Sequence, residues 1–500
     1  MAQKIDPSFL LLQPEKLAKK GLDVLRQAGA TYGDFRLERI QTQIIGLHDL
    51  ELENVLDETE IGFALRVIVN GTWGFAASSN LTEDNVRKTA LQAISIAKQS
   101  SRLTKEKVVL APEPVYNKGL HISSYEINPF EVPLKDKISL LNSLARPLKE
   151  SKIVSHVDFS VRQVMENKFF ANLDGTTTNQ QRVRILGQCE AVTTKTKAGK
   201  FTTMRTCSLP RGEGWEYFTK DYDFKTEIDQ MSQWLEEKLK APSVKPGKYD
   251  LVIDPSNLWL TIHESVGHAT ELDRVLGYEA NYAGTSFATL DKLNKLQYGS
   301  PLMHITGDRT VEHGLATTGF DDEGVAASKW DIVNNGVLKG YQLNRQMAHK
   351  LGVQSNGCAF ADSFSHIPLQ RMPNVSLQPN KTKTSLDDLI GRVENGIYLV
   401  GDNSWSIDMQ RYNFQFTAQR FFAIKNGKLA GQLKDVAYQS NTVDFWNKLD
   451  GLGDKSTYVL GGAMNCGKGQ PGQVAAVSHG APATLFRGIN VLNTANEGKS

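Results

Sequence analysis

Apolar and polar positions alternate most clearly at Ile61, Phe63, Leu65, Val67 and Val69, stop at Asn70-Gly71, and resume at Trp73 and Phe75. Alternation with period two marks a half-buried strand, and Asn-Gly supplies the left-handed residues of a tight turn, so this stretch predicts a hairpin. Upstream, Leu17, Leu22, Leu25 and Ala28 recur at helical spacing between Pro14 and Ala30, before a strand pattern begins at Phe35 and Leu37. Downstream, Thr82 stands where a helix cap would, with Glu83 and Asp84 in the first turn and Val86, Ala90, Ile94 and Ala97 on a buried stripe.

The same reading predicts a helix from Lys135 to Glu150 and strands near Val157 to Val161, Val183 to Leu186 and Phe201 to Met204. It also predicts a charged amphipathic helix from Phe218 to Lys240. Pro242 to Gly247 then reads as a boundary before a strand at Tyr249 to Ile253, and Asn335-Gly336 and Asn426-Gly427 predict two more hairpins. The expected architecture is α+β in two domains: a mixed α/β domain over residues 1–241 and a β-rich domain over 248–500 that carries the chemistry. The residues after Asn493 are expected to form a frayed tail.

A length of 500 residues suits more than one domain, and a hydrophobic fraction of 40% with 22% charged residues is ordinary for a folded protein. Lys and Arg number 57 against 55 Asp and Glu, so no concentrated field invites nucleic acid or an acidic membrane. The stretch Phe9 to Leu12 is too short for a secretory signal, and no run is long enough to cross a bilayer. Cys189, Cys207, Cys358 and Cys466 form no close pair, which fits a reducing cytoplasm.

Candidate chemistry concentrates in His263-Glu264-Ser265-Val266-Gly267-His268, followed by Glu271 and Asp273. Zinc peptidases commonly space two helical histidines by four residues, whereas five residues on a regular helix turn the second ring by roughly 140° from the first. A π-type widening between His263 and His268 is therefore predicted, with Gly267 well placed to help. A catalytic zinc needs a third protein ligand. Cys466 is the best remote candidate, Glu271 and Asp273 are rivals, and the expected role of those two carboxylates is to accept the free ring N–H of a liganding histidine. Gly467 to Gly472 spells G-x-G-x-x-G, but Pro471 and the missing following helix argue against a dinucleotide site. Its glycines, Gly467 and Gly469 among them, read either as plain loop or as backbone that contacts a peptide. His479 and the glycine amides are candidate donors to a reaction oxyanion, and Asp321-Asp322-Glu323 reads as a solvated acidic turn.

These segments together resemble the TldD/PmbA metallopeptidases, also called the modulator of DNA gyrase family, in their metal-bearing TldD branch. The resemblance rests on the segment from His263 to Asp273, on Asp321-Asp322-Glu323-Gly324, Arg371-Met372-Pro373-Asn374 and Asn465-Cys466-Gly467-Lys468-Gly469, and on Asn70 to Ala76 with Leu81 to Asp84. It covers nearly the whole chain. It implies one zinc per chain on His263, His268 and Cys466, Glu264 as catalytic acid and base, and short or unfolded peptides as substrates. Glu264 would draw a proton from the zinc-activated water that attacks the peptide carbonyl. The resemblance also implies a homodimer or a heterodimer with a metal-lacking paralogue. Two other functions stand beside this one: a cysteine hydrolase using Cys466, and a non-catalytic binding or regulatory subunit of a protease complex.

Overall fold

The computed structural model describes residues 4–195 and 201–495. The expected tail falls mostly on residues 496–500, outside the described ones, and the last described strand is Thr484–Asn493.

All strands up to Arg205 belong to one sheet, ordered Thr72–Ser78, Glu51–Val69, Tyr32–His48, His156–Asn172, Thr177–Thr193, Gly119–Ile122, with Thr202–Arg205 also on Thr177–Thr193. Asn70 and Gly71 take left-handed φ values of 54° and 76° and close the Glu51–Val69/Thr72–Ser78 hairpin. The paired strands run well beyond their alternating segments. Register partners continue from Tyr32↔Ile68 to His48↔Glu51, through residues 51–60 that are exposed on both faces.

One face of this sheet is apolar. Phe35, Leu37, Phe63 and Leu65 pack against helices Pro14–Gln27 and Glu83–Ser100, and Ile45, Leu47, Val157 and Phe159 against helices Leu134–Lys149 and Phe224–Lys240. The Phe218–Lys240 helix thus starts late, after a separate π-turn at Tyr217–Asp221. The alternate positions carry Arg36, Glu38, Arg66 and Lys168, all almost fully buried. They do not face water but pack on the second half of the chain, where the acidic turn meets them. Asp322 lies 2.8 Å from Lys168 and 3.3 Å from Arg36, and Glu323 lies 3.1 Å from Arg66. The expectation of a solvated Asp321-Asp322-Glu323 turn is therefore corrected: the turn is buried because the facing strands supply its counter-charges.

In the second half, Gly247–Ile253 lies between Asn395–Ile407 and Thr484–Asn493, followed by Val436–Asn441 and Asn413–Lys425. Asn395–Ile407 pairs back onto Asn413–Lys425, so these five strands close into a barrel and leave no open edge between them. Hairpins form at Asn335-Gly336 and Asn426-Gly427. Helix Pro255–Ile262 leaves the barrel strand directly, capped by Asp254 accepting from the Ser256 amide, and every residue in it is buried. No helix among the described residues is long and apolar enough to cross a membrane.

Strand Thr72–Ser78 and helix Glu83–Ser100 come closest at Gly74. A Cβ there would stand 2.0 Å from the carbonyl oxygen of Ala93 in the Glu83–Ser100 helix. Backbone cannot swing aside as a side chain can, so Gly74→Ala is expected to cost about 1–3 kcal/mol in urea unfolding, and an unchanged midpoint would refute the packing.

Candidate metal centre

The helix beginning at Pro255 widens to a π-turn over His263–Gly267 and tightens to a 3-10 turn over His268–Thr270. This pair of distortions brings the two imidazole centroids to 4.6 Å. Carbonyls displaced from the helical ladder find other donors: Ser265 O accepts from Tyr298 Oη at 2.5 Å and Gly267 O from Gln342 Nε2 at 2.5 Å. The Thr270 hydroxyl donates to Val266 O at 2.8 Å. Gly267 keeps an ordinary helical φ of −53°, so the bulge does not need its freedom. Its bare Cα instead lets the Met372 side chain pack closely, since a Cβ there would stand 2.5 Å from Met372 Sδ.

The third member arrives from about two hundred residues away on the hairpin of strands Val459–Lys468 and Gln473–Ala481, where Cys466 Sγ lies 3.6 Å from His268 Nε2. Ligand atoms of His263, His268 and Cys466 all lie within 4.8 Å of one another, and all three residues are buried.

Hydrogen bonding sets the tautomers. The Val375 carbonyl can only accept, so His479 carries its proton on Nδ1, 2.9 Å away, and its Nε2 accepts from His263 Nδ1 at 2.7 Å. Glu271 Oε2 accepts from His268 Nδ1 at 2.8 Å. Each histidine of the cluster therefore keeps Nε2 as a free lone pair, which is the form that binds a metal. Burial holds His263 below the ordinary imidazole range, in its neutral form. Burial alone would raise the Cys466 thiol, but His268 and Arg371 overrule it and hold it below its usual value, toward thiolate. Two imidazoles that each present Nε2 and a readily ionised thiol fit a divalent metal of the zinc class.

Beside them, Glu264 accepts from Trp405 Nε1 at 3.0 Å and from Arg411 Nη1 at 2.7 Å. Both donors come from the strand pair Asn395–Ile407 and Asn413–Lys425 and the turn that joins it. Burial pushes the Glu264 carboxyl up, but the Arg411 guanidinium and the hydrogen bond from Trp405 bring it below its ordinary value, so it stands ionised.

The expected supporting residues divide. Glu271 takes the ring N–H foreseen for it, whereas Asp273 meets no histidine and lies 3.0 Å from Lys468 Nζ. His479 has both ring nitrogens engaged and so cannot serve as an oxyanion donor; it orients His263. Gly467 belongs to a strand rather than a loop and is exposed, while Gly469 is buried against Tyr282, whose ring a Cβ would meet at 2.7 Å. Sequence reasoning missed Lys468, which is 1% exposed and within 3.0 Å of Glu271, Asp273 and Glu279. The clue was present: a lysine two places from the cysteine, and two spare carboxylates on the helix segment. Trp405 and Arg411 carried no local signal.

The sequence profile of the PmbA/TldA metallopeptidase C-terminal domain matches residues 246–493, and that of the family's domain 1 matches residues 33–97. A metalloprotease of Methanothermobacter thermautotrophicus is 29% identical over 93% of this chain and 96% of its own length. A zinc metalloprotease TldD homolog of Saccharolobus solfataricus is 23% identical over 93% and 97%. The crystal structure of TldE from Thermococcus kodakarensis superposes with a TM-score of 0.73 at 18% identity, covering 94% of this chain and 99% of that one.

Removing the Lys468 ammonium would leave three buried carboxylates facing one another. Lys468→Met is therefore expected to destabilise the protein by about 3–5 kcal/mol in denaturant unfolding, and wild-type stability would show that the cluster is not held as described.

Proposed function

The chain belongs to the TldD/PmbA metallopeptidase family, and we propose that it is a zinc-dependent peptidase acting on short or unfolded peptides, with His263, His268 and Cys466 holding one zinc and Glu264 moving the proton. The observation that carries this reading is the tautomer pattern: Val375 through His479, and Glu271 directly, occupy both Nδ1 atoms and leave both Nε2 atoms for one ion.

When bound, zinc supplies Lewis acidity toward water and a peptide carbonyl. The protein does the rest. Glu264, ionised and held by Trp405 and Arg411, takes the proton of the attacking water on a carboxylate oxygen and returns it to the departing amine. Arg411 fixes the carboxylate and also weakens it as a base. The family relationship and four free cysteines support a reducing, cytoplasmic setting, and a homodimer or a heterodimer with a metal-lacking paralogue belongs to the same proposal.

One specific contact favours a second reading. Cys466 Sγ and His268 Nε2, 3.6 Å apart, are also the beginnings of a cysteine hydrolase. A chelator separates the two: the zinc enzyme loses turnover and regains it with added zinc, whereas a thiol nucleophile keeps working. Glu264→Gln is expected to retain zinc while peptide hydrolysis falls by about a hundredfold or more, and undiminished hydrolysis would remove Glu264 from the mechanism. Metal-free protein that binds peptides without cleaving them would favour a non-catalytic subunit instead.

A further inference from the structure

The turn that joins strands Tyr32–His48 and Glu51–Val69 carries a second group of ligand-type side chains, separate from the cluster of His263, His268 and Cys466. Ligand atoms of His48, Asp49 and His156 all lie within 4.8 Å of one another. The strand register explains the meeting. His48 stands opposite Asp158 on the neighbouring strand His156–Asn172, and side chains two places apart on a strand share a face, so His156 comes up beside His48. The two rings stack with centroids 5.4 Å apart and planes inclined by 21°.

Each side chain is aimed. Asp49 Oδ1 accepts from the Val157 amide at 2.9 Å and lies 2.8 Å from Lys149 Nζ, which turns Oδ2 toward the rings, 3.0 Å from His156 Nδ1 and 3.8 Å from His48 Nε2. An ionised carboxylate can only accept, so His48 carries its proton on Nδ1, 2.7 Å from Asp158 Oδ1, and presents Nε2 as a lone pair on the Asp49 side. A carboxylate behind a histidine in this way is the support that metal-binding imidazoles use. Isolated pairs of histidine and aspartate on a surface contribute little. Here one carboxylate oxygen serves two imidazoles, and a second carboxylate fixes the tautomer of one of them.

Spacing and charge both suit a cation. Two ligands of a tetrahedral zinc at about 2.0–2.1 Å stand roughly 3.4 Å from each other. The distances of 3.0 and 3.8 Å from Asp49 Oδ2 lie on either side of that value, and His48 and His156, with side chains 44% and 49% exposed, are free to rotate the small remainder. The carboxylates of Asp49 and Asp158 outweigh the Lys149 ammonium, and Glu53 adds to the negative field at His48. Two imidazoles with one carboxylate select zinc and its transition-metal neighbours over calcium or magnesium, which take oxygen ligands.

We infer that His48 Nε2, His156 Nδ1 and Asp49 Oδ2 form a second divalent-metal site, of the zinc class, in which the ion displaces to solvent the proton that His156 Nδ1 shares with Asp49. Bound there, it clips the turn of the first hairpin to the next strand. Asp49 and Leu50 take left-handed φ values of 50° and 73°, which a leucine does not adopt freely, so this turn gains from such a clip. Exposure leaves the remaining coordination positions to water, so the site fills when zinc is supplied and gives it up on dialysis. It is independent of the peptidase reading.

The test is equilibrium dialysis of full-length protein against zinc chloride, with bound zinc counted by mass spectrometry and thermal unfolding followed in parallel. In Cys466→Ala protein, added zinc is expected to bind and to raise the unfolding midpoint, and both effects to be lost when His156→Ala is introduced as well. Asp158→Asn is expected to weaken this binding about tenfold to a hundredfold, and magnesium chloride to give neither effect. In the otherwise natural chain His156→Ala should lower the zinc count by one, which decides the matter even if Cys466→Ala does not fold. A zinc count and midpoint unaffected by His156→Ala would overturn the proposal. Binding equally tight in Asp158→Asn would overturn it too, leaving ordinary exposed histidines. Zinc lost with Cys466 and not with His156 refutes the second site and leaves the peptidase reading standing; zinc lost with His156 and not with Cys466 does the reverse.

Discussion

A regular helix cannot aim residues five apart at one point, and the architecture around residues 263 to 268 follows from that constraint. The chain yields by one residue of π-widening and then one 3-10 turn, which brings the rings together but frees carbonyl groups in a buried helix. Tyr298 and Gln342 supply the missing donors, and the Ser265 hydroxyl, itself bonded to Thr261 O, accepts from Trp446 Nε1 at 3.0 Å. A distortion that would be unstable alone is thus held by side chains from three other parts of the second half.

Charge performs the second task, which is to hold distant segments in place. Lys468 ties the Cys466 strand to Glu271, Asp273 and Glu279, while Arg36, Arg66 and Lys168 tie the first sheet to Asp322 and Glu323. Such pairs add little net stability, since burying each ion offsets most of the attraction. Their value lies in geometry: a displaced strand would leave charges without partners, so one arrangement is strongly preferred.

Much of this was legible in the residues. The Asn-Gly hairpins, the Thr82-capped helix and the need for a bulge between His263 and His268 all follow from local rules, and those rules act within a few residues. Failures came where partners are remote. Asp34, Arg36 and Glu38 alternate with apolar residues as a solvent-facing set would, and the opposing turn at 321 to 323 makes that face an interior. Gly267 read as an aid to the π-widening, yet its φ is ordinary and its bare Cα serves the packing of Met372. His479 read as a donor, yet Val375 and His263 already occupy both its nitrogens. Trp405 and Arg411 reach Glu264 through a barrel strand pair whose closure no short-range pattern announces.

X-ray absorption at the zinc edge of the purified protein, compared with Cys466→Ala, tests the central claim most directly. The account predicts one zinc per chain whose inner ligands are two imidazole nitrogens and one sulfur at about 2.3 Å, with the sulfur lost in the variant. A zinc shell without sulfur, or a spectrum unchanged by Cys466→Ala, would contradict it.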